Sequence, residues 1–244
     1  MKAWLRFFRV VNLPTVPGDV LVGAAAVFSC ASLTSGRESA SPLVAACVAS
    51  VILYMFGLAD NDIVGAETDK GRPIPDGQIS LQAARIARGF CLFGVLIVAA
   101  AVNLPPMWWI AAFALAVAVV LYNRTKWSLL MGLCRGLNVW CGGAVAFQSC
   151  ASLPSDEDVA SPLFWLGVCA MLWTIYIAAV TKYSEGEEMD SEKKRRVGFL
   201  IGAIVYLQLI ALIAFPVKPL LIAGAVLLIV LRLMKRFLPG VSAS

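Results

Sequence analysis

The chain has 244 residues, of which 60% are hydrophobic and only 14% charged, and its mean hydropathy is +0.84. A soluble domain of this length needs a far more polar surface, so composition excludes that class and leaves a membrane protein. The net charge of +5 requires no nucleic-acid partner, and with no histidine the chain holds neither a Ser-His-Asp triad nor a His-based metalloprotease site.

A bilayer core asks for about 20 predominantly apolar residues per helical span. In chain order such stretches run over 15–33, 42–64, 81–103, 105–122, 129–151, 162–183, 197–215 and 219–237. The expected architecture is an all-α, polytopic membrane helical bundle of about eight transmembrane helices. A cleaved signal ending near Cys30 is disfavoured by the Asn12-Leu13-Pro14 break and by Asp19 within the apolar run, so 15–33 is read as the first span. Polar or proline-containing links separate the spans, and proline is tolerated in a first helical turn because its missing N–H had no intrahelical partner.

Charge then sets orientation. Of the 20 Lys and Arg, all but Arg37 and Lys218 fall on the N-terminal arm, near the links after the second, fourth and sixth spans, or at the C-terminus. The positive-inside rule makes that side cytoplasmic. The chain is expected to be a multi-pass integral protein of a bacterial-type inner membrane with both termini inside. The seven cysteines are scattered singly through apolar stretches, which suits small packing residues better than zinc or a disulfide framework.

Three polar residues stand inside spans, where ionisable groups are functional candidates by default. Asp19 lies early in the first span, and Arg135 and Asn138 share a face of the fifth at i, i+3. A polar cavity suits them, although Asp19 also complements a helix N-terminus and Arg135 also reaches toward the cytoplasm. Tyr54, Phe56, Trp140, Trp173 and Tyr176 either line an apolar tunnel or simply pack.

The link after the second span is the most informative, reading NDIVGAETDKGRPIPDGQIS over 61–80. Asp62 and Asp69 are about two helical turns apart, so a continued helix would place both on one face. Their carboxylates, with Glu67 beside them, are hard oxygen ligands of the kind Mg²⁺ combines with water and substrate phosphate. Arg72 suits phosphate oxygens as a bidentate clamp and Lys70 as a point charge. A metal–phosphate site and a solvated loop of mutually paired charges both fit these residues. The corresponding link of the second half carries Glu185, Glu188 and Glu192 on one helical face, with Glu187 and Asp190 off it, ahead of a basic block that also reads as an orientation signal. One domain over 1–244, in pseudo-repeat halves of four spans near 1–127 and 128–244, would bring both acidic loops over one cytoplasmic cavity.

Together these pieces resemble the UbiA-type family of intramembrane prenyltransferases. RVVNLPTVPGDVLVGAA (9–25) is similar to the family's first span. The 61–80 segment is similar to its first Asp-rich motif, N-D-x-x-D-x-x-x-D, followed by R-P-I-P. LYNRTKWSLLMGLCRGLNVWCGG (121–143) is similar to its fourth and fifth spans. The resemblance covers most of the chain to about residue 145. It implies Mg²⁺-dependent transfer of a prenyl group from a prenyl diphosphate to a small acceptor within the bilayer. Carried over by position, Asn61, Asp62 and Asp69 would ligate or position Mg²⁺, with Glu67, Glu185 and Glu188 as further acids. Arg72 would contact diphosphate, and Asp62, Asp69 and Arg72 would carry the chemistry. Asn61, Lys70, Lys126, Arg135, Asn138 and Asp19 complete the expected substrate-binding set. The chain departs from the family pattern at Gly65, which stands at the motif's middle aspartate, and in its second motif, which has few aspartates. A catalytically inactive isoprenoid-binding or transport protein on the same fold is the second reading. A CDP-alcohol phosphatidyltransferase is disfavoured by the lack of a D-G-x-x-A-R motif with further spaced aspartates.

Overall fold

The computed structural model describes residues 2–30, 40–150, 156–185 and 191–237, which among themselves form helices and turns and no strand. The chain runs through α1 (Lys2–Phe7), a short 3-10 turn (Val10–Asn12), α2 (Thr15–Phe28), α3 (Ser41–Val64), α4 (Leu81–Ala101), α5 (Pro106–Thr125), α6 (Ser128–Ser149), α7 (Asp156–Ser184), α8 (Ser191–Ala214) and α9 (Lys218–Phe237). Local sequence sets several of these boundaries. Pro42 and Pro106 occupy first turns, and Ser80 caps α4 by accepting the Ala83 N–H on its Oγ at 3.1 Å.

The helices are not equivalent. Within their apolar spans α2 is 78% buried and α6 67% buried, whereas α4, α5, α7 and α8 lie between 22% and 28%. α2 and α6 therefore form the axis, and the outer helices turn Phe90, Ile110, Phe113 and Phe199 toward the lipid. Small residues bring the axis together. A methyl at Gly142 would overlap the Val20 carbonyl, so the α2 and α6 backbones approach as closely as glycine allows. α6 also joins two apolar cores: Cys134, Cys141, Ala144 and Val145 face α3–α5, while Val139, Ala146 and Cys150 face α2 and α7.

Among the described residues seven helices, beginning with the one that contains α2, are long and apolar enough to cross a membrane. The eighth expected span, α9, falls short by composition because Lys218, Arg232, Lys235 and Arg236 lie within it. It packs antiparallel to α8. Gly224 abuts Leu212, Arg232 Nη2 donates to the Tyr206 hydroxyl at 2.7 Å, and Lys235 Nζ lies 3.0 Å from where a methyl on Gly202 would stand. The charges gather at the end where α9 reaches the 3-10 turn that precedes α2.

Candidate active site

Gly65 ends α3, so Asn61 and Asp62 occupy its last turn and the chain then folds back as a loop. Asp62 and Asp69 thus meet through a turn and not along a helical stripe. Both carboxylates are held by one guanidinium: Arg72 Nη1 lies 2.5 Å from Asp62 Oδ1, and Arg72 Nε lies 3.3 Å from Asp69 Oδ2. The arginine is aimed by its loop, in which Gly71 and Gly77 take φ values of 81° and 69° that side chains rarely adopt. Two further cations arrive from elsewhere in the chain. Arg9 stands between α1 and the 3-10 turn in the left-handed region, at φ 40°, and its Nη2 lies 3.4 Å from Asp62 Oδ1. Lys126, left-handed at φ 55°, caps α5 and donates from Nζ to Asn61 Oδ1 at 2.5 Å. Non-glycine residues in that region cost backbone energy, and such strain concentrates where a side chain must be aimed.

The local charge is uneven. Among the described residues that line or adjoin the mouth, Arg9, Arg72 and Lys126 stand against two carboxylates, Asp62 and Asp69. Burial first, and the neighbouring Arg72 charge second, lower the pKa of Arg9 below its ordinary value. Partial burial likewise lowers the pKa of Lys126, with the Arg72 and Arg9 charges adding and the Asp69 and Asp62 charges opposing. A surplus of desolvated cations is a site built for an anion of more than one charge.

Behind the mouth lies a cavity of about 270 Å³. Its walls include Leu53, Tyr54, Leu115, Val119 and Tyr122, while Arg9, Asn61, Asp69, Arg72 and Lys126 line the open end. At the other end are Ser50, Arg135 and Asn138. Ser50 lies about three turns, roughly 16 Å along α3, from Asn61. This floor is part of a buried polar network centred on Asp19, which is 0% exposed. Arg135 Nε lies 2.8 Å from Asp19 Oδ2, and Asn138 donates to the same oxygen at 3.1 Å. Trp173 Nε1 and Gln208 Nε2 donate to Oδ1 at 2.9 and 2.7 Å. The Ser50 hydroxyl donates to Asn138 Oδ1. One carboxylate within the bilayer thereby fixes side chains from α6, α7 and α8, as buried charge demands.

The expected site residues separate clearly by place. Asn61, Asp69, Arg72, Lys126, Arg135 and Asn138 line the cavity, Asp62 is held just behind its mouth, and Asp19 braces its floor. Glu67 and Lys70 are exposed and do not line it. Glu185 is exposed too, and its carboxylate accepts from Lys182 Nζ at 2.9 Å. Glu187, Glu188 and Asp190 lie outside the described residues.

Among the described residues no three His, Cys, Asp or Glu side chains gather as an all-protein metal cage. The oxygens of Asn61, Asp62 and Asp69 form a sparser set at the cavity mouth. It fits a divalent ion that takes one or two carboxylates and completes its shell with water and phosphate oxygens, the habit of Mg²⁺.

Several polar residues of the assembly were not among the sequence candidates. Asp60, 1% exposed, turns away from the cavity to accept from Arg88 Nη1 at 2.8 Å and Asn123 Nδ2 at 2.9 Å, tying α3 to α4 and α5. Ser50, Gln208 and the site role of Arg9 were also missed. The available signal for Gln208 was a lone polar group inside an apolar run, whereas Asp60 stood directly beside Asn61 and Asp62 at the end of one.

No curated protein matches the chain's sequence. Among solved structures, that of a UbiA homolog from Archaeoglobus fulgidus bound to GPP and Mg²⁺ is similar at a TM-score of 0.55 and 14% identity, over 98% of this chain and 88% of that one. A structure reported for digeranylgeranylglyceryl phosphate synthase in membranes is similar at a TM-score of 0.53 and 16% identity, over 99% of this chain and 91% of that one. At these identities the likeness is one of fold. Residues 20–241 match the UbiA prenyltransferase family, and the chain belongs to that family.

Proposed function

We propose that this protein is a Mg²⁺-dependent prenyltransferase that moves a prenyl group from a prenyl diphosphate to a small, aromatic or lipid acceptor within the membrane. The observation that carries the reading is the joining of a cationic mouth, Arg9, Arg72 and Lys126, to an apolar-walled cavity. An amphiphile with a polyanionic head and a hydrocarbon tail is complementary to both parts at once. The family membership and the GPP and Mg²⁺ in one structural relative support the same substrate class.

The chemistry follows from the geometry. Arg9, Arg72 and Lys126 bind the diphosphate and hold it at the mouth, so that the allylic carbon enters the cavity. Asn61, Asp62 and Asp69 would hold Mg²⁺, whose contribution is to neutralise charge on the leaving group. The allylic C–O bond breaks with its electron pair leaving on the diphosphate. The ring faces of Tyr54 and Tyr122 favour the allylic cation, and the apolar wall keeps water from it. The acceptor's nucleophilic atom then forms the new bond to carbon and releases its proton. Arg135 and Asn138, braced by Asp19, supply the polar contacts that orient the acceptor at the floor. Glu67, Lys70 and the Glu185–Glu188 stretch belong to the outer rim in this reading, where the second loop adds charge as the substrate arrives. With two halves near 1–127 and 128–244 and both termini cytoplasmic, as the charge bias favours, that rim would lie at the inner face of a bacterial-type membrane.

A binding or transport role on the same fold has one observation in its favour: Asp62 already carries two arginine partners, as a resting acid in a charge network does. Membranes holding the protein, labelled geranyl, farnesyl and geranylgeranyl diphosphates and an acceptor pool separate the readings. The enzyme releases inorganic diphosphate in a Mg²⁺-dependent manner and Asp62→Ala abolishes that release. Binding of the prenyl lipid with no diphosphate released under any acceptor identifies the carrier instead. Equal Mg²⁺-dependent diphosphate binding by wild type and Asp62→Ala would sink the proposed site.

A further inference from the structure

Gly65 stands where the family motif has a carboxylate, and its backbone does not need glycine. Its φ is −86° and ψ 11°, open to any L residue. What the position needs is space. The Gly65 carbonyl accepts the N–H groups of Thr68 at 3.1 Å and Asp69 at 2.9 Å, which curls the loop into a turn at the end of α3. That turn lays the Asp69 side chain across the Gly65 Cα. A methyl built on Gly65 would lie 2.5 Å from Asp69 Oδ2 and 2.6 Å from its Cγ, well inside any real contact. In this seat the carboxylate receives the Thr68 hydroxyl on Oδ1 at 3.2 Å and Arg72 Nε on Oδ2 at 3.3 Å, and it lines the cavity beside Asn61 and Arg72.

We infer that Gly65 is a positioning residue whose missing side chain is the seat of the Asp69 carboxylate, so that an acid from later in the loop occupies the space over the end of α3 that a side chain at 65 would fill. The site keeps an oxygen donor at that place although the motif's own aspartate is absent. This inference rests on the proposed function for what the carboxylate is positioned to do, namely to share a divalent cation with a diphosphate. The three atoms nearest that methyl all belong to the Asp69 carboxyl group, the end of a side chain and not backbone. Gly65→Ala therefore displaces the carboxylate and leaves the fold intact.

The test uses the full chain in lipid nanodiscs, with Mn²⁺ as a spin probe and inorganic diphosphate as the anion. Wild type, Gly65→Ala, Asp69→Ala, the double variant and Asp62→Ala are compared for Mn²⁺ affinity by EPR and for thermal unfolding. Gly65→Ala is expected to unfold at the wild-type temperature and to weaken diphosphate-dependent Mn²⁺ binding by about 10- to 100-fold, the usual loss when a group that orients a ligand is removed. In the Asp69→Ala background the same substitution is expected to change nothing, because the carboxylate it displaces is gone. Wild-type binding by Gly65→Ala, with binding lost in Asp62→Ala, overturns the inference and leaves the site standing. An equal loss from Gly65→Ala with or without Asp69 also overturns it, since the backbone and not the seat would then be responsible. Undiminished binding in Asp62→Ala overturns the proposed function and the inference with it.

Discussion

The cations at the mouth differ in what pH can do to them. A guanidinium is a stronger base than an ammonium, and Lys126 loses its proton below the ordinary lysine value because partial burial and the neighbouring arginines disfavour its charged form. A bound diphosphate favours the charged ammonium, so binding takes up a proton once the free protein has begun to lose it. Diphosphate affinity should thus be flat at neutral pH and fall as pH rises through the lowered lysine pKa. Lys126→Arg should carry full affinity to higher pH, and Lys126→Met should be weaker throughout and lack the alkaline decline. Calorimetric titration of inorganic diphosphate with Mg²⁺ across the alkaline range checks all three. Identical alkaline declines in wild type and Lys126→Met would remove Lys126 from the site. That Lys126 belongs at the mouth was legible in part from its place in LYNRTKW, but its contact with Asn61 was not. That contact depends on a left-handed cap at the end of α5, which sequence alone does not announce.

Helix existence is the most legible level of this chain, because a span's length is imposed by the bilayer and its composition by the absence of water. Helix ends were less so. The apolar span of α7 begins at Ser161, beside the expected Pro162, while the helix as described already includes the acidic run from Asp156. α3 stops at Val64 where a continued helix had been one way to join Asp62 and Asp69. Which helices touch was invisible, since in lipid the apolar pattern does not distinguish a protein-facing stripe from a lipid-facing one. Small residues carry that information, and two glycines of similar appearance separate the cases. Gly142→Ala drives a methyl into the Val20 carbonyl and has to push α2 from α6, at about 1–3 kcal/mol or more for overpacking a tight contact. Gly89→Ala on α4 meets nothing within 4 Å and gains up to about 1 kcal/mol of helix propensity. Thermal unfolding in a single detergent should therefore order the proteins Gly89→Ala at or above wild type and Gly142→Ala clearly below. The reverse order would mean that the α2–α6 approach does not hold the axis.

At the scale of the whole molecule, the family resemblance was readable from short segments because their polar residues have one common destination. Arg9, Asn61 and Lys126 are far apart in sequence and meet at one mouth. The deeper network was legible only as three isolated anomalies, Asp19, Arg135 and Asn138, and not as a centre that also recruits Trp173 and Gln208. The same limit applies to α9, whose four basic residues leave it outside the helices long and apolar enough to cross a membrane. Its side-by-side register with α8, from Leu212 against Gly224 to Tyr206 against Arg232, leads to the prediction that it returns across the bilayer. Arg232, Lys235 and Arg236 then lie at the end shared with Arg6 and Arg9, where the positive-inside rule wants them. Reporter fusions decide this directly. An alkaline phosphatase joined after residue 37 or after residue 217 should be active, because both links are assigned to the outer face. Green fluorescent protein joined after residue 244 should fluoresce, because an eighth crossing returns the C-terminus to the cytoplasm. A dark C-terminal fusion beside an active one at 217 would leave α9 on the outer surface. The contact of α9 with the 3-10 turn that precedes α2 would then be lost, and with it one support of the arm that aims Arg9 at Asp62.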